Sequence, residues 1–433
     1  MLVKKDDGEM KPEELVDLKG GRVHMDAYRN PEVFAEEMRR IFHKVWIYVG
    51  HESEIPSTGD YKTSYLGQVP VIVSRDEDMG INVLVNRCAH RGTTVCQRDS
   101  GNASYFKCEY HAWVYNNKGA LTGVALRRGY ADSELPKDIG LQRIPKVDTY
   151  QGLIFASLNP DVESLVDYLG HARSYLDDWV RQTPSGQVDL RGGDWKLTYR
   201  GNWKLQAENS TEGYHPDFLH QAAVQVQVYN SNRRRAAAGV QGQARPQRTA
   251  TLDGLGRDLG RGHNLLEVPQ VQLLARRRYS QEFIDELSDS YGEDQLGNVL
   301  GPPWRLLIFP NLAIAGSNLR VINPLSVDET DVRQYFVDLP TAPDAVRAFR
   351  REQEQGFYGP SGYGGPDDVE MFERMQEGFK SGAASTLDPW VLFTRQMEDE
   401  KVLPDGQRVG GHTSEIMQRA VYRGWVRQMS EEA

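Results

Sequence analysis

The sequence predicts an α+β protein in which a small all-β domain precedes a larger domain of mixed strands and helices. Three observations carry that expectation. The 433 residues span two to three times the roughly 150 of an average domain, and 39% of them are hydrophobic, enough to fill more than one core. From Trp46 to Pro160 the chain is a series of short β-rich runs separated by Gly, Pro and Asp turns. Beyond Pro160, strand-like runs are interleaved with stretches of helical periodicity.

Taken in order, Asn30 and Pro31 read as the N-cap and first position of a helix over 32–45. Val33, Phe34, Met38, Ile41, Phe42 and Val45 form its apolar stripe. Short strands follow over 46–49, 69–73, 82–85, 104–107 and 152–158, with Asn159-Pro160 ending the last. A helix is then expected over 163–179, and strands over 195–199, 305–309, 319–322 and 334–339. Helices are expected over 343–355, 370–381 and 412–429. Between these, 221–262 is rich in Arg, Ala, Gln and Gly with little periodicity, which suits an entrance loop and an ordinary surface insertion equally.

Composition narrows the function classes. A formal net charge of −10 argues against general nucleic-acid affinity, and is compatible with docking the basic face of a redox partner. No apolar run approaches the roughly 18 residues a membrane span needs. Met1 to Met10 is charged rather than apolar, so the expected compartment is the cytoplasm. No Gly-x-Gly-x-x-Gly follows a strand, so no nicotinamide or flavin fingerprint is evident.

The chemistry is concentrated in two constellations. Cys88-Ala89-His90 and Cys108-Glu109-Tyr110-His111 offer one thiolate and one imidazole in each half, on loops that follow the 82–85 and 104–107 strands. A Rieske 2Fe-2S centre needs this set, two cysteines on one iron and two histidines on the other. A zinc finger instead pairs Cys with Cys and His with His. Cys96 is left over, so a disulfide framework is excluded. Downstream, His215 and His220 lie five apart, about 140° out of phase on an ideal helix, and converge only if the helix is distorted. Pro216 supplies a reason for distortion, because it disfavours an α conformation at His215. Two histidines with one carboxylate make the facial triad of non-haem Fe(II) oxygenases, which leaves positions open for oxygen and substrate.

Asn86-Arg87-Cys88-Ala89-His90-Arg91-Gly92, Cys108-Glu109-Tyr110-His111-Ala112-Trp113 and Glu208-Asn209 with Tyr214-His215 and His220 together resemble the large (alpha) subunit of Rieske non-haem iron ring-hydroxylating oxygenases. The resemblance covers nearly the whole chain. It implies a helical N-terminal part of the catalytic domain over 1–45, a Rieske domain over 46–160, and over 161–433 a catalytic domain built on an antiparallel sheet with helices.

The same resemblance implies the third iron ligand, the second acid of Asp367-Asp368, leaving Asp367 to cap a helix beginning near Val369. Glu212 stands where most of the family has Asp, as a hydrogen-bonded bridge between His215 and a cluster histidine of a neighbouring subunit. The extra methylene puts that bridge's geometry in question. Such a bridge implies a ring, a homotrimer or a trimer of alpha-beta pairs. A reductase, directly or through a ferredoxin, would feed the cluster, and O2 would yield an arene cis-dihydrodiol or a phenol.

Two rivals stay open. One is a Rieske electron-transfer protein without a catalytic iron. The other is a Rieske monooxygenase or demethylase acting on another substrate class. Wording at His51-Glu52-Ser53-Glu54-Ile55-Pro56 and Leu121-Thr122-Gly123-Val124 most resembles the branch acting on aromatic carboxylates of the benzoate, salicylate and phthalate type. Arg320, in a strand-like run before Pro324, is the candidate for binding such a carboxylate, against a purely structural role.

Overall fold

In the computed structural model, residues 11–131, 135–237, 239, 254–268, 279–300 and 304–430 are described. The chain forms two compact units, one of Glu37–Tyr168 and one of Met1–Glu36 with Leu169–Ala433.

After two single-turn helices at Pro12–Leu15 and Asp26–Arg29, helix α1 (Pro31–Glu37) begins where expected, with Asn30 Oδ1 accepting the Glu32 N–H at 2.8 Å. It is shorter than expected, because the backbone widens into a π-helical turn over Met38–Phe42. Its six stripe residues are all buried nonetheless.

The unit Glu37–Tyr168 is all β in its main elements. Strands β1 (Ile47–His51), β2 (Asp60–Leu66), β3 (Val69–Arg75), β4 (Ile81–Val85) and β5 (Ser100–Asn102) are followed by β6 (Tyr105–Lys107), β7 (Val114–Asn116), β8 (Leu121–Gly123), β9 (Lys146–Tyr150) and β10 (Leu153–Ser157). They form three antiparallel sheets, in the orders β4-β3-β2-β5, β8-β7-β6 and β9-β10-β1. Alternation of inward and outward side chains puts Tyr61, Ile72, Leu84, Phe106 and Tyr115 into one core, and that core includes Cys88 and Cys108.

The helix expected over 163–179 is divided. Helices α2 (Leu165–Leu169) and α3 (Ala172–Val180) are separated at Gly170, whose φ of +47° ends the first, as left-handed glycines do at helix C-termini. After β11 (Asp194–Tyr199) comes α4 (Trp203–Asn209), capped by Asn202, whose side chain accepts the Lys204 N–H at 3.1 Å. Then follow α5 (Pro216–Leu219) and α6 (Gln221–Ala237), so the first part of the segment expected to be irregular is a helix. Its low periodicity fits a helix that is mostly exposed. The residues after it, up to 253, lie outside the described ones apart from Gly239.

The main elements that follow are β12 (Leu255–Gly260), β13 (His263–Glu267), α7 (Gln281–Tyr291), β14 (Trp304–Ile308), β15 (Leu312–Ala315), β16 (Asn318–Ser326), β17 (Glu329–Phe336), α8 (Asp344–Phe357), α9 (Gly365–Phe379), β18 (Lys401–Val402), β19 (Arg408–Gly411) and α10 (Ile416–Ser430). Among the described residues these strands together with β11 form a nine-stranded antiparallel sheet, ordered β11-β17-β16-β15-β14-β13-β12-β19-β18, and Val16–Asp17, Arg22–His24 and Trp390–Leu392 form a separate three-stranded one. Helix α10 lies on β12 and β13 and buries Ile416, Met417, Val421 and Trp425. The approach is close enough that a Cβ on Gly424 would come within 2.6 Å of Gly262, so only glycine fits there. Helix α4 is anchored through its own buried acid, Glu208. The Tyr28 and Tyr422 hydroxyls donate to Glu208 at 2.9 and 2.5 Å, and burial pushes the Glu208 carboxyl up to about 7.

Candidate metal centres

In the smaller unit, two loops present the cysteine and histidine pairs with the same backbone geometry. The Cys88 N–H donates to Thr93 O and the Gly92 N–H to Cys88 O, while the Cys108 N–H donates to Trp113 O and the Ala112 N–H to Cys108 O. Each loop thus turns on its fifth residue, which has positive φ, +79° at Gly92 and +54° at Ala112. Ala112 holds a conformation that a β-carbon disfavours, a strain kept where the loop must match its partner.

The two thiols are buried, Cys88 at 3% and Cys108 at 1% exposure, whereas His90 and His111 are partly exposed. The imidazole centroids lie 4.5 Å apart, and His90 stacks on Trp113 at 4.8 Å. His90 Nδ1 is buried with no hydrogen-bond partner, a vacancy that a metal bond would fill. Two buried thiols and two imidazoles at the rim fit the donor set of a 2Fe-2S group, which these residues would hold. Tyr115, which sequence reasoning passed over, lies beneath it. Its hydroxyl accepts the Ala89 N–H at 3.1 Å and so has its own proton to give to Cys88 Sγ, also at 3.1 Å.

In the larger unit, His215, His220 and Asp368 each offer one donor atom, and these lie within 4.8 Å of one another. The Nε2 atoms of His215 and His220 stand 3.5 and 3.3 Å from Asp368 Oδ1, and the two rings meet edge to face at 5.2 Å. Two imidazoles and a carboxylate, converging with no other cation between them among the described residues, fit a single divalent iron.

The local backbone achieves the convergence differently from the sequence expectation. His215 is itself in the α region (φ −66°, ψ −31°), and Pro216 occupies the first turn of α5, where its missing N–H costs nothing. The distortion falls at His220 (φ −91°, ψ 33°), between α5 and α6.

Helix α9 also corrects an expectation. It starts at Gly365 rather than near Val369, with Gly364 as N-cap and no side-chain cap, so Asp367 does not cap it. Pro366 accounts for the early start, since its fixed φ suits the first turn of a helix, where its missing N–H costs nothing. Both acids lie in the first turn. Asp368 is buried toward the histidines, and the more exposed Asp367 carboxylate stands 3.5 Å from His220 Nδ1. Burial works to raise the Asp368 pKa, but the His220 hydrogen bond and the charges of His220, His215 and Arg320 outweigh it and hold the carboxyl below its ordinary value.

Around this centre, Glu212 Oε1 accepts the His215 backbone N–H at 2.9 Å, and Oε2 accepts from the His215 ring Nδ1 at 2.8 Å. The carboxylate fixes the ring's tautomer and leaves Nε2 with a free lone pair. Asn209, quoted in the motif but given no role there, places its Nδ2 3.2 Å from Asp368 Oδ1 and 3.3 Å from His215 Nε2. Its position at the end of α4 is the signal that could have singled it out.

Arg320 lies on β16 and is 7% exposed. Its Cζ lies 4.5 Å over the Tyr358 ring, which meets the Phe357 ring at 4.7 Å, and Phe357 in turn meets His220 at 5.1 Å.

A family model described as Ring hydroxylating alpha subunit (catalytic domain) matches residues 189–431, and one described as Rieske [2Fe-2S] domain matches residues 45–132. The chain is 34% identical to the toluate 1,2-dioxygenase subunit alpha of Pseudomonas putida over 375 residues, which cover 84% of this chain and 81% of that one. It is 41% identical, over 46% of this chain and 44% of the other, to the N,N-dimethyl phenylurea N-demethylase subunit alpha of a Sphingobium species. Naphthalene 1,2-dioxygenase from a Rhodococcus species, solved with indole bound, superposes with a TM-score of 0.82 at 26% identity, covering 99% of both chains. With the catalytic-domain model spanning more than half of its length and the toluate enzyme matched across most of both chains, the chain belongs to the ring-hydroxylating alpha subunits and carries their Rieske domain.

Proposed function

We propose that the chain is the oxygenase component of a system that uses O2 and externally supplied electrons to cis-dihydroxylate or hydroxylate the ring of an aromatic carboxylate. The observation that carries the substrate class is the state of Arg320. Its Nε donates to Asn318 Oδ1 at 2.7 Å, and among the described residues its guanidinium makes no other hydrogen bond and no ion pair. The residue is 7% exposed, yet its two partnerless terminal nitrogens are not among the fully enclosed polar atoms, so that edge of the cation stays open to an anion. A carboxylate accepting both terminal N–H groups would complete the site. That toluate, the substrate in the relative's name, is an aromatic carboxylate agrees with this.

Cys88, His90, Cys108 and His111 are the residues proposed to hold the cluster, and His215, His220 and Asp368 the iron. When bound, the cluster supplies single electrons and the ferrous ion supplies activation of O2. The chain's own groups position the rest. Glu212 keeps the proton of His215 on Nδ1, and Asn209 donates to Asp368 Oδ1. Phe357 packs against the His220 ring, and Arg320 would fix one end of the substrate so that its ring presents the same edge at each turnover.

Glu212 is further proposed to link His215 to a cluster histidine of a second copy of the chain, which makes the working unit a ring, a homotrimer or a trimer of alpha-beta pairs. The electron source is NAD(P)H through a separate reductase, with or without a ferredoxin. The three cysteines are unpaired thiols, which accords with a cytoplasmic setting.

A second reading, oxidative removal of an N-methyl group, is favoured by the partial match to the demethylase subunit. A panel of aromatic acids and N-methyl compounds, supplied with a surrogate reductase under labelled dioxygen and read by mass spectrometry, separates the two. The first reading expects a diol or phenol of an acid. Demethylated product alone would replace it. Within the first reading, Arg320→Gln should raise KM for benzoate roughly tenfold or more while leaving toluene within about twofold, because one charge-assisted pair is worth some 1.5–3 kcal/mol. Equal effects on both would remove Arg320 from substrate binding.

A further inference from the structure

Asn318 lies between the Arg320 guanidinium and a buried acid. It is fully buried at the start of β16, and Glu354 on α8 is 1% exposed. Asn318 Nδ2 donates to Glu354 Oε1 at 2.6 Å and to Gln334 Oε1 at 3.2 Å, and its Oδ1 accepts from Arg320 Nε. A carboxamide has two N–H protons and one oxygen, so with both protons committed the oxygen must face Arg320. A flipped amide would oppose two donors on one side and three oxygens on the other. The carboxylate of Glu354 is itself held, Oε2 accepting from Ser317 Oγ at 3.2 Å.

Helix α8 connects this lock to the iron site. Glu354, Phe357 and Tyr358 stand at i, i+3 and i+4, the spacing of one helix face. From that face Glu354 fixes the amide that holds Nε, Tyr358 lies under the guanidinium plane, and Phe357 packs on His220. The guanidinium is thereby pinned along one edge and one face, and the edge left uncommitted is that of its two terminal nitrogens.

We propose that Glu354, acting through Asn318, is the positioning residue that holds the terminal N–H pair of Arg320 in the plane that receives a substrate carboxylate, and so sets the preference for aromatic acids over neutral rings. This inference rests on the substrate class proposed above and adds the residue that enforces it. A buried acid is an expensive way to hold an amide, and burial pushes Glu354 up to about 7 against the opposing pull of Asn318, Arg320, Ser317 and Arg350. Such an expense at a site beside an uncommitted cation fits preorganisation, because an anion then binds a guanidinium that needs no rearrangement.

The test measures Kd for benzoate and for toluene with the metal-loaded protein, alongside the thermal midpoint. Glu354→Leu should weaken benzoate about tenfold while toluene stays within about twofold, and Glu354→Gln, which returns an acceptor to Asn318, should recover benzoate binding to within about threefold of the parent. Asn318→Asp should weaken benzoate as much as Glu354→Leu, because the new carboxylate pairs with Arg320 and neutralises it, while the raised pKa of Glu354 lets the two acids share a proton. If Glu354→Leu does not fold, Asn318→Asp decides alone. Benzoate and toluene weakened alike, or both unchanged, in the variants that fold overturns the inference. If Arg320→Gln abolishes the preference while those variants leave it intact, the inference falls and the substrate class stands. If Arg320→Gln leaves the preference intact, the substrate class falls with it.

Discussion

Glu212 holds His215 through two atoms, backbone N–H and ring Nδ1, and its extra methylene is taken up in that contact rather than lost. The bond to the ring follows from chemistry, since a metal-bound histidine gives its second N–H to a carboxylate. Glu212→Gln keeps the size but can no longer accept from Nδ1 with a full charge. The protein should retain cluster and mononuclear iron by metal analysis and accept one electron per cluster, yet turn over about tenfold to a hundredfold slower, as disrupted partners of metal ligands do. Normal single-turnover transfer would exclude Glu212 as the link. The cysteines and histidines of both constellations were legible because ligand chemistry restricts residue type and spacing. Tyr115 and Asn209 were not, since a hydroxyl beneath a thiol and an amide between two ligands depend on contacts that spacing does not encode. With Cys88 as a cluster ligand, Tyr115→Phe removes a donor that stabilises the more negative, reduced state. Its reduction potential should fall by about 60 mV for each 1.4 kcal/mol of that preference. An unchanged potential in protein-film voltammetry would mean that the hydroxyl proton points elsewhere.

The elements explain where sequence reasoning about the iron site held and where it slipped. His215 and His220 do require a break in the helix, but proline placed it one turn later than expected. Pro216 is comfortable as an opening residue, and the chain bends at its far end, at His220. Likewise Pro366 advances the start of α9 to Gly365, which brings both Asp367 and Asp368 into its first turn. The helix at 163–179 divides at Gly170 because a positive φ cannot continue it, and a single glycine within a periodic pattern does not announce its sign. Consecutive residues on a helix point about 100° apart, and only Asp368 reaches the Nε2 atoms of both histidines, while Asp367 meets His220 Nδ1 alone. Asp368→Ala should therefore lose the mononuclear iron and keep the labile sulfide. Asp367→Ala should keep both, with at most a modest loss of iron affinity, because its carboxylate is more exposed and reaches only His220 Nδ1. Iron retained in Asp368→Ala, counted by metal analysis against sulfide, would transfer the ligand role to another acid.

At the scale of the molecule, the α+β class was legible from alternating texture, whereas the order of the nine-stranded sheet was not. Strand β11 pairs with β17 in the register Asp194↔Tyr335, and no local pattern specifies a partner so distant. The two proposed centres belong to separate units, each with its own buried core, so damage to one leaves the other to assemble. That independence permits a decisive test of the proposed ring. Cys108→Ala protein should lack the cluster and keep the iron, and Asp368→Ala protein should keep the cluster and lack the iron, so each alone is inactive. If electrons pass from the cluster of one copy to the iron of the next, dissociating and reassembling an equal mixture should restore turnover. In a ring closed by head-to-tail contacts, an intact cluster then meets an intact iron site at about a quarter of the interfaces, and activity should approach that fraction of the parent rate. Mixtures must be checked for exchange with differently tagged chains. Confirmed mixed rings that stay inactive would place the electron path within a single chain, and Glu212 would then serve His215 alone.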